Sequence, residues 1–209
     1  MSENGMVRIY LYSRFERFWH WAQAALIIFL AITGLEVHGA YEIFGFQKAV
    51  ELHNTAGITW LVLYVFIIFW NLTTGEWKQY IPTTRKLLSV ARYYAYGIFR
   101  GEPHPVPKSE RQKHNPLQRL TYLGISLALI PIQIVTGLLY YLYNSWAGPE
   151  APFSLGAVAI VHTIGAFSLL IFLIVHIYMT TTGHTVGAHI RAMITGWEEV
   201  PARGIESSS

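Results

Sequence analysis

Four apolar runs constrain this chain more than any other feature, because each approaches the length needed to cross a hydrocarbon layer. They cover approximately residues 18–37, 53–73, 120–143 and 155–182. A bilayer core of ~30 Å takes about 20 helical residues. Hydrocarbon offers no hydrogen bonds to the backbone, so each run must satisfy its own N–H and C=O groups as a helix. The third contains Pro131 and Gly137, which membrane helices tolerate when neighbours re-satisfy the freed groups. With 53% hydrophobic and only 13% charged residues in 209, the chain is too apolar for an ordinary soluble domain. The predicted fold is an all-α membrane protein, a four-transmembrane-helix bundle forming a single domain over residues 1–209. The first run is too long for a cleavable leader and lacks a small-residue cleavage site after it, so it is expected to stay as a span.

Charge sets an orientation for these spans. Arg8, Arg14 and Arg17 precede the first, Arg191 and Arg203 follow the last, and nine of the 15 Lys and Arg lie between Lys78 and Arg119. Lys48 alone falls in the other two connections. The positive-inside bias therefore predicts cytoplasmic N and C termini and a cytoplasmic central connection. The net charge of +3 reports topology and gives nucleic acid no footprint. Within the central connection, residues 84–100 mix Leu87, Leu88, Val90, Tyr93, Tyr94, Ile98 and Phe99 with Arg85, Lys86, Arg92 and Arg100. That mixture predicts an interfacial amphipathic helix between spans two and three. Residues 102–107, with three prolines, end it, and Ser207–Ser209 read as a frayed tail.

Histidines carry the chemistry. Cysteine is absent, which removes thiolate-held iron–sulfur clusters, c-type haem attachment and disulfides. His162 and His176 lie fourteen positions apart in the fourth run. On a helix that is a rise of about 21 Å, with the two rings within about 40° of one face. Ionisable side chains at such depths are functional by default. The first span runs outward and the second and fourth run inward, so depth pairs His53 with His162 near the outer face. It pairs His20 with His176 near the inner face. Two imidazoles facing each other across helices suit the two axial positions of a haem iron, which favours electron transfer over ligand binding. Four-helix bundles build such sites from inward side chains on facing helices. Two haem b groups, one above the other, are expected.

The surroundings give weaker signals. Gly34, Gly57, Gly137 and Gly165 could make room for a haem plane, although helix packing explains each as well. Arg14 and Arg17 could pair with propionates of the inner haem. Thr33-Gly34-Leu35 and Thr136-Gly137-Leu138, with His53 and His162 on the spans that follow, read as a duplicated hairpin. His38 and His104 read as surface residues. His184 and His189, after the last span, suit an inner-face site or an exposed interfacial position equally.

Arg17-Phe-Trp-His20-Trp21, entering a span that reaches Thr33-Gly34, resembles the first helix of a respiratory di-haem cytochrome b family. Its members include the gamma subunit of formate dehydrogenase, the b-type cytochrome of nickel–iron hydrogenases and the thiosulfate reductase cytochrome b. His53-x-x-x-Gly57, the His162/His176 pair and Ala192-Met-Ile-Thr-Gly196 also match, so the resemblance covers nearly the whole chain. It implies two b haems held by His20/His176 and His53/His162. It further implies electron exchange between an outward-facing partner carrying an iron–sulfur or c-type cytochrome centre and the quinone pool, menaquinone or ubiquinone. The segment His114-Asn115-Pro-Leu-Gln118-Arg119 resembles the family stretch whose Asn contacts quinone beside the inner haem, which carries over to Asn115 and Gln118. Taken by itself, Asn115-Pro116 is a good helix start, and the two roles are compatible.

The expected function is therefore that of a membrane-anchored electron-transfer subunit of an oxidoreductase complex. No nucleophile or acid–base dyad is visible, so substrate chemistry is expected on another subunit. Two rivals belong to other classes. A histidine-bound diiron or zinc membrane metalloenzyme would want boxes such as His-x-x-x-His, and none occurs. A small proton or ion transporter would want charges in mid-span, and these spans carry almost none.

Overall fold

Three of the spans begin at side-chain capping groups, ahead of their apolar runs. In the computed structural model, which describes residues 6–106, 113–146, 154–183 and 185–201, four helices are long and apolar enough to cross a membrane. The first, α1 (Arg14–Val37), starts four residues before its apolar run. Ser13 Oγ accepts from the Glu16 N–H at 3.2 Å and Glu16 Oε2 accepts from the Ser13 N–H at 2.7 Å. That reciprocal box satisfies two of the orphan donors at a helix start.

The second span, α2 (Phe46–Thr74), begins seven residues before His53. Glu36, buried at the end of α1, accepts the backbone N–H groups of Ile43, Phe44 and Gly45 on one carboxylate oxygen at 2.7–2.9 Å. A carboxylate against a helix N-terminus is stabilised by the helix dipole. The chain turns into α2 at Gly45, whose φ of +82° suits a residue without Cβ. His53 consequently sits about two turns inside the helix.

The third span is a composite. Pro116–Gly124 (α4) and Ile130–Tyr141 (α5) flank a π-helical turn at Ile125–Leu129, just before Pro131. In a π register the Ser126 carbonyl would need the N–H of residue 131, and proline has none. The Tyr64 hydroxyl donates to that carbonyl at 2.6 Å instead, which is how a neighbouring helix keeps a broken ladder tolerable in hydrocarbon. The span starts at Pro116 rather than Leu120 because Asn115 and Gln118 form a second capping box. It stops at Tyr141, and the short α6 (Tyr143–Trp146) follows. The fourth span is α7 (Leu155–Thr180).

Between spans two and three lie a 3₁₀ turn at Glu76–Tyr80, the amphipathic α3 (Leu87–Ala95) and a second 3₁₀ turn at Gly97–Arg100. Val90 is fully buried while Leu88 and Phe99 are among the most exposed apolar side chains, the partition expected of a helix lying at a membrane surface. The continuous helix expected over residues 84–100 is thus shorter, because Lys86 takes a left-handed φ of 61° and the Tyr96 backbone leaves the helical region.

One element has no counterpart in the sequence reading. Strands β1 (Met6–Tyr10) and β2 (Trp197–Pro201) pair antiparallel, from Met6↔Pro201 to Tyr10↔Trp197, after the short α8 (Ala188–Thr195). Ile9, Leu11 and Val200 pack beneath the ribbon. The ribbon pairs residues that precede the first span with residues that follow the last, as an even number of spans permits. Ser207–Ser209, Arg203 and His184 lie outside the described residues.

Contacts gather into two compact units. One consists of Phe18–Trp70 with Ser126–Ile177, and the other of Met1–Arg17, Asn71–Ile125 and Tyr178–Ser209. The second unit carries an ionic cluster around the buried Lys113. Lys113 Nζ donates to Glu16 Oε1 at 2.8 Å and to Glu76 Oε2 at 3.0 Å, and its backbone N–H reaches Gln79 Oε1 at 3.4 Å. Burial pulls the Lys113 ammonium down, but the hydrogen bonds and charges of both glutamates outweigh it and hold the group above its ordinary range. Removing one partner of a buried pair leaves uncompensated charge and costs about 3–5 kcal/mol. Lys113→Met is therefore expected to lower the thermal unfolding temperature in detergent markedly, and Lys113→Arg much less. Equal, small shifts for both would show that the cluster does not hold this unit.

Candidate functional site

Within the first unit, the histidines on α1, α2 and α7 meet in two facing pairs. The ring centroids of His20 and His176 lie 6.1 Å apart with their planes at 50°. Those of His53 and His162 lie 6.2 Å apart at 77°. These are the partners that span direction and depth select. Two imidazoles sharing one iron would be centred about 6.2 Å apart, taking about 2.0 Å for a metal–nitrogen bond and about 1.1 Å from nitrogen to ring centre. Both pairs are close to that separation.

His53 and His162 are each held by the hairpin they belong to. Thr33 Oγ1 lies 2.9 Å from His53 Nδ1, and Thr136 Oγ1 lies 3.0 Å from His162 Nδ1. The glycine after each threonine lets the ring approach. A Cβ on Gly34 would sit 3.2 Å from His53 Cε1, and one on Gly137 would sit 3.3 Å from His162 Cε1. The repeated Thr-Gly thus becomes a repeated cradle. Gly57 has open space around its missing Cβ, and Gly165 faces the Gln133 side chain instead of a histidine. Gln133 Nε2 lies 3.1 Å from His162 Nε2, and its Oε1 is buried with no hydrogen-bond partner.

The His20–His176 pair is packed mainly by rings. Phe172 stacks on His176 at 5.6 Å and Trp21 meets His20 edge-on at 5.1 Å. His20 Nδ1 is buried without a hydrogen-bond partner, as are Trp60 Nε1 and Gln23 Oε1 in the same unit. Among the described residues no three of His, Asp or Glu come together as a metal site. Two protein ligands per site is the number an iron needs when a planar macrocycle supplies the other four. The donor set, the ring separations and the two glycine cradles fit haem b.

Other predicted residues are engaged in the second unit. Asn115 is buried and caps α4. Its Oδ1 accepts from the Gln118 N–H at 2.9 Å, Gln118 Oε1 accepts from the Asn115 N–H at 3.0 Å, and Asn115 Nδ2 donates to the Tyr94 hydroxyl at 3.1 Å. Burial pushes Tyr94 up to about 12, with the Asn115 hydrogen bond pulling the other way. His114 stacks on Tyr80 at 5.3 Å and meets Tyr122 edge-on at 5.2 Å. Burial, then the charge of Glu16, raises the Tyr80 hydroxyl well above its ordinary range. Arg17 donates to the Ile194 carbonyl at the end of α8 and to Ser13 O at 3.4 Å. His104 is half-buried against Tyr93 and Tyr94, which corrects its reading as a surface residue. His38 is exposed, with Nε2 3.3 Å from Thr163 Oγ1, and His189 pairs with buried Glu198 at 3.2 Å.

Comparison with known proteins gives this arrangement its family. The family described as Prokaryotic cytochrome b561 matches residues 11–196, a stretch that takes in all four spans. The chain belongs to the prokaryotic cytochrome b561 family. It is 32% identical over 198 residues to the Escherichia coli (strain K12) protein named "Putative cytochrome YdhU", covering 91% of this chain and 74% of that one. It is 25% identical over 195 residues to a Rhodobacter capsulatus protein named "Probable Ni/Fe-hydrogenase B-type cytochrome subunit", covering 81% and 72%. A protein of the same name from Cupriavidus necator is 23% identical, with 90% and 86% covered. The resemblance to respiratory b-type cytochromes is therefore borne out. As a family member the chain is a multi-pass bacterial membrane protein that carries b-type haem and transfers electrons.

Sequence reasoning gave Thr33 and Thr136 no role and missed Gln133. The duplicated Thr-Gly was the available signal for the first two. From the cradles, Gly34→Ala and Gly137→Ala are expected to lower haem retained per chain in detergent-purified protein. Gly57→Ala, placed in open space, should leave it at the wild-type level. Equal retention in all three would show that the rings do not depend on those approaches.

Proposed function

We propose that this chain is a di-haem electron-transfer subunit that links an outward-facing redox partner to the quinone pool, acting as one functional domain over residues 1–209. The single observation that carries this reading is the pair of facing imidazoles near each end of the bundle, both at separations suited to one iron between them. His53 and His162 would hold the outer haem, and His20 and His176 the inner one. Haem, when bound, supplies one-electron iron chemistry. The chain's own part is to fill both axial positions, which excludes exogenous ligands, and to keep water away with apolar helices.

The names of the Rhodobacter and Cupriavidus relatives support assembly with an oxidoreductase, here through a subunit bearing an iron–sulfur or c-type cytochrome centre. The distribution of Lys and Arg supports cytoplasmic termini and a cytoplasmic connection between spans two and three. In the quinone proposal Asn115 supplies the donor Nδ2, which the Tyr94 hydroxyl receives in this structure, and Gln118 holds Asn115 in place through the capping box. Menaquinone or ubiquinone is the exchange partner. Arg17, at the start of α1, would serve the propionates of the inner haem by charge-assisted pairing.

Haem content and the visible spectrum test the core of this reading. The wild-type chain is expected to carry two b haems, and His162→Ala to lose the outer one while keeping most of the inner. A single haem in the wild type, or loss of the inner signal in that variant, overturns the pairing. For quinone, Asn115→Asp keeps the capping oxygen but removes the Nδ2 donor. Loss of one hydrogen bond of about 1–1.5 kcal/mol predicts about a tenfold slower quinone reduction at unchanged haem content. An unchanged rate would remove Asn115 from the site.

A further inference from the structure

Both outer histidines share a further feature, namely a threonine hydroxyl on Nδ1 that also donates to a helix carbonyl. Thr33 Oγ1 donates to the Phe29 carbonyl four residues back at 2.9 Å while lying 2.9 Å from His53 Nδ1. Thr136 Oγ1 donates to the Ile132 carbonyl at 2.7 Å while lying 3.0 Å from His162 Nδ1. A hydroxyl has one proton and two lone pairs. With the proton on the helix carbonyl, the oxygen can only accept from the ring, so Nδ1 must carry hydrogen. A neutral imidazole protonated on Nδ1 presents a bare Nε2. The Gln133 amide lies 3.1 Å from His162 Nε2, and its nitrogen is able to donate there when Nε2 is bare. Thr33 is fully buried and Thr136 nearly so, so water does not compete for either hydroxyl.

A threonine that bonds back to its own helix is common, and one such contact would mean little. Here the relationship occurs twice, on α1 and α5, each time against a histidine on the following span and with the adjacent glycine beside the same ring. His20, in the other pair, has a buried Nδ1 with no hydrogen-bond partner, so the device belongs to the outer site and is no general habit of histidines in this bundle.

We propose that Thr33 and Thr136 are positioning residues of the outer site, fixing His53 and His162 in the Nδ1–H tautomer so that both present Nε2 to the iron. This rests on the assignment of His53 and His162 as axial ligands of one haem. A hydrogen bond accepted from Nδ1–H fixes ring orientation and raises the basicity of the ligating nitrogen. A more basic ligand favours ferric over ferrous iron, so the two threonines lower the potential of the outer haem. The inner haem is untouched by them.

The test uses the full chain in detergent, with Thr33→Val, Thr136→Val and the double variant, and with Thr33→Ser and Thr136→Ser as hydroxyl-retaining controls. Haem per chain is measured first, then each haem's midpoint by redox titration, the outer haem being the component lost in His162→Ala. The double valine variant is expected to shift the outer haem's reduction equilibrium about tenfold toward the ferrous form, which is a rise of about 59 mV for one electron. The inner haem should not move, and the serine variants should titrate as wild type. If valine expels the outer haem, retention in the serine variants supports the proposal, because the hydroxyl alone distinguishes them. Loss of the outer haem in serine and valine variants alike overturns it. So does an unmoved outer midpoint with both haems retained, or an equal shift of both haems. A wild-type chain without two haems overturns the di-haem reading and this inference together, whereas two haems and an unmoved midpoint overturn this inference alone.

Discussion

A ring nitrogen left without a partner in the interior of an apolar helix bundle is costly, and meeting that cost shapes the spans around His53 and His162. In hydrocarbon an unsatisfied polar group costs several kcal/mol. His53 and His162 each meet it at Nδ1 with a threonine hydroxyl, and their ring centres lie 6.2 Å apart. Much else in this unit serves that approach. Gly34 and Gly137 clear the path to the rings, and Glu36 anchors the backbone that turns from α1 into α2. The π turn before Pro131 re-registers the third span, and Tyr64 closes the carbonyl it leaves open.

The second unit solves a different problem, that of ordering polar chain. Its connections carry most of the basic residues, and one of them, Lys113, is drawn inside by Glu16 and Glu76. The β1–β2 ribbon ties the first strand to the last, and Gly196 makes the tie possible. Its φ of +87° ends α8, and a Cβ there would lie 2.6 Å from the Tyr10 ring and 2.7 Å from the Tyr12 carbonyl. The Leu11 N–H donates to the Gly196 carbonyl at 2.8 Å. Arg17 reaches the carbonyl end of α8, a favourable place for a cation, and so ties α1 to the same element.

How far the sequence could be read depended on whether a feature was periodic or local. The spans were legible because each must be apolar along its whole length, and the histidine partners because alternating span direction fixes depth. Helix starts were legible only in part: Asn115-Pro116 announced α4, but Ser13 with Glu16 moved α1 earlier than its apolar residues suggested, and Glu36 did the same for α2 from a distance. The ribbon escaped entirely, since five-residue strands at opposite ends of a chain leave no periodic mark. His104 was misread because composition alone does not tell that Tyr93 and Tyr94 cover it.

The sequence by itself determined a four-span bundle, its charge asymmetry and the depths of its histidines, because hydrocarbon admits few backbone solutions and punishes misplaced polar groups. Only the tertiary structure decided which nitrogen of each outer histidine is tied back and by what. Thr33 and Thr136 look like ordinary helix residues in one dimension. They acquire meaning when the next span brings an imidazole within 3 Å of each hydroxyl, a contact between helices that no single helix encodes.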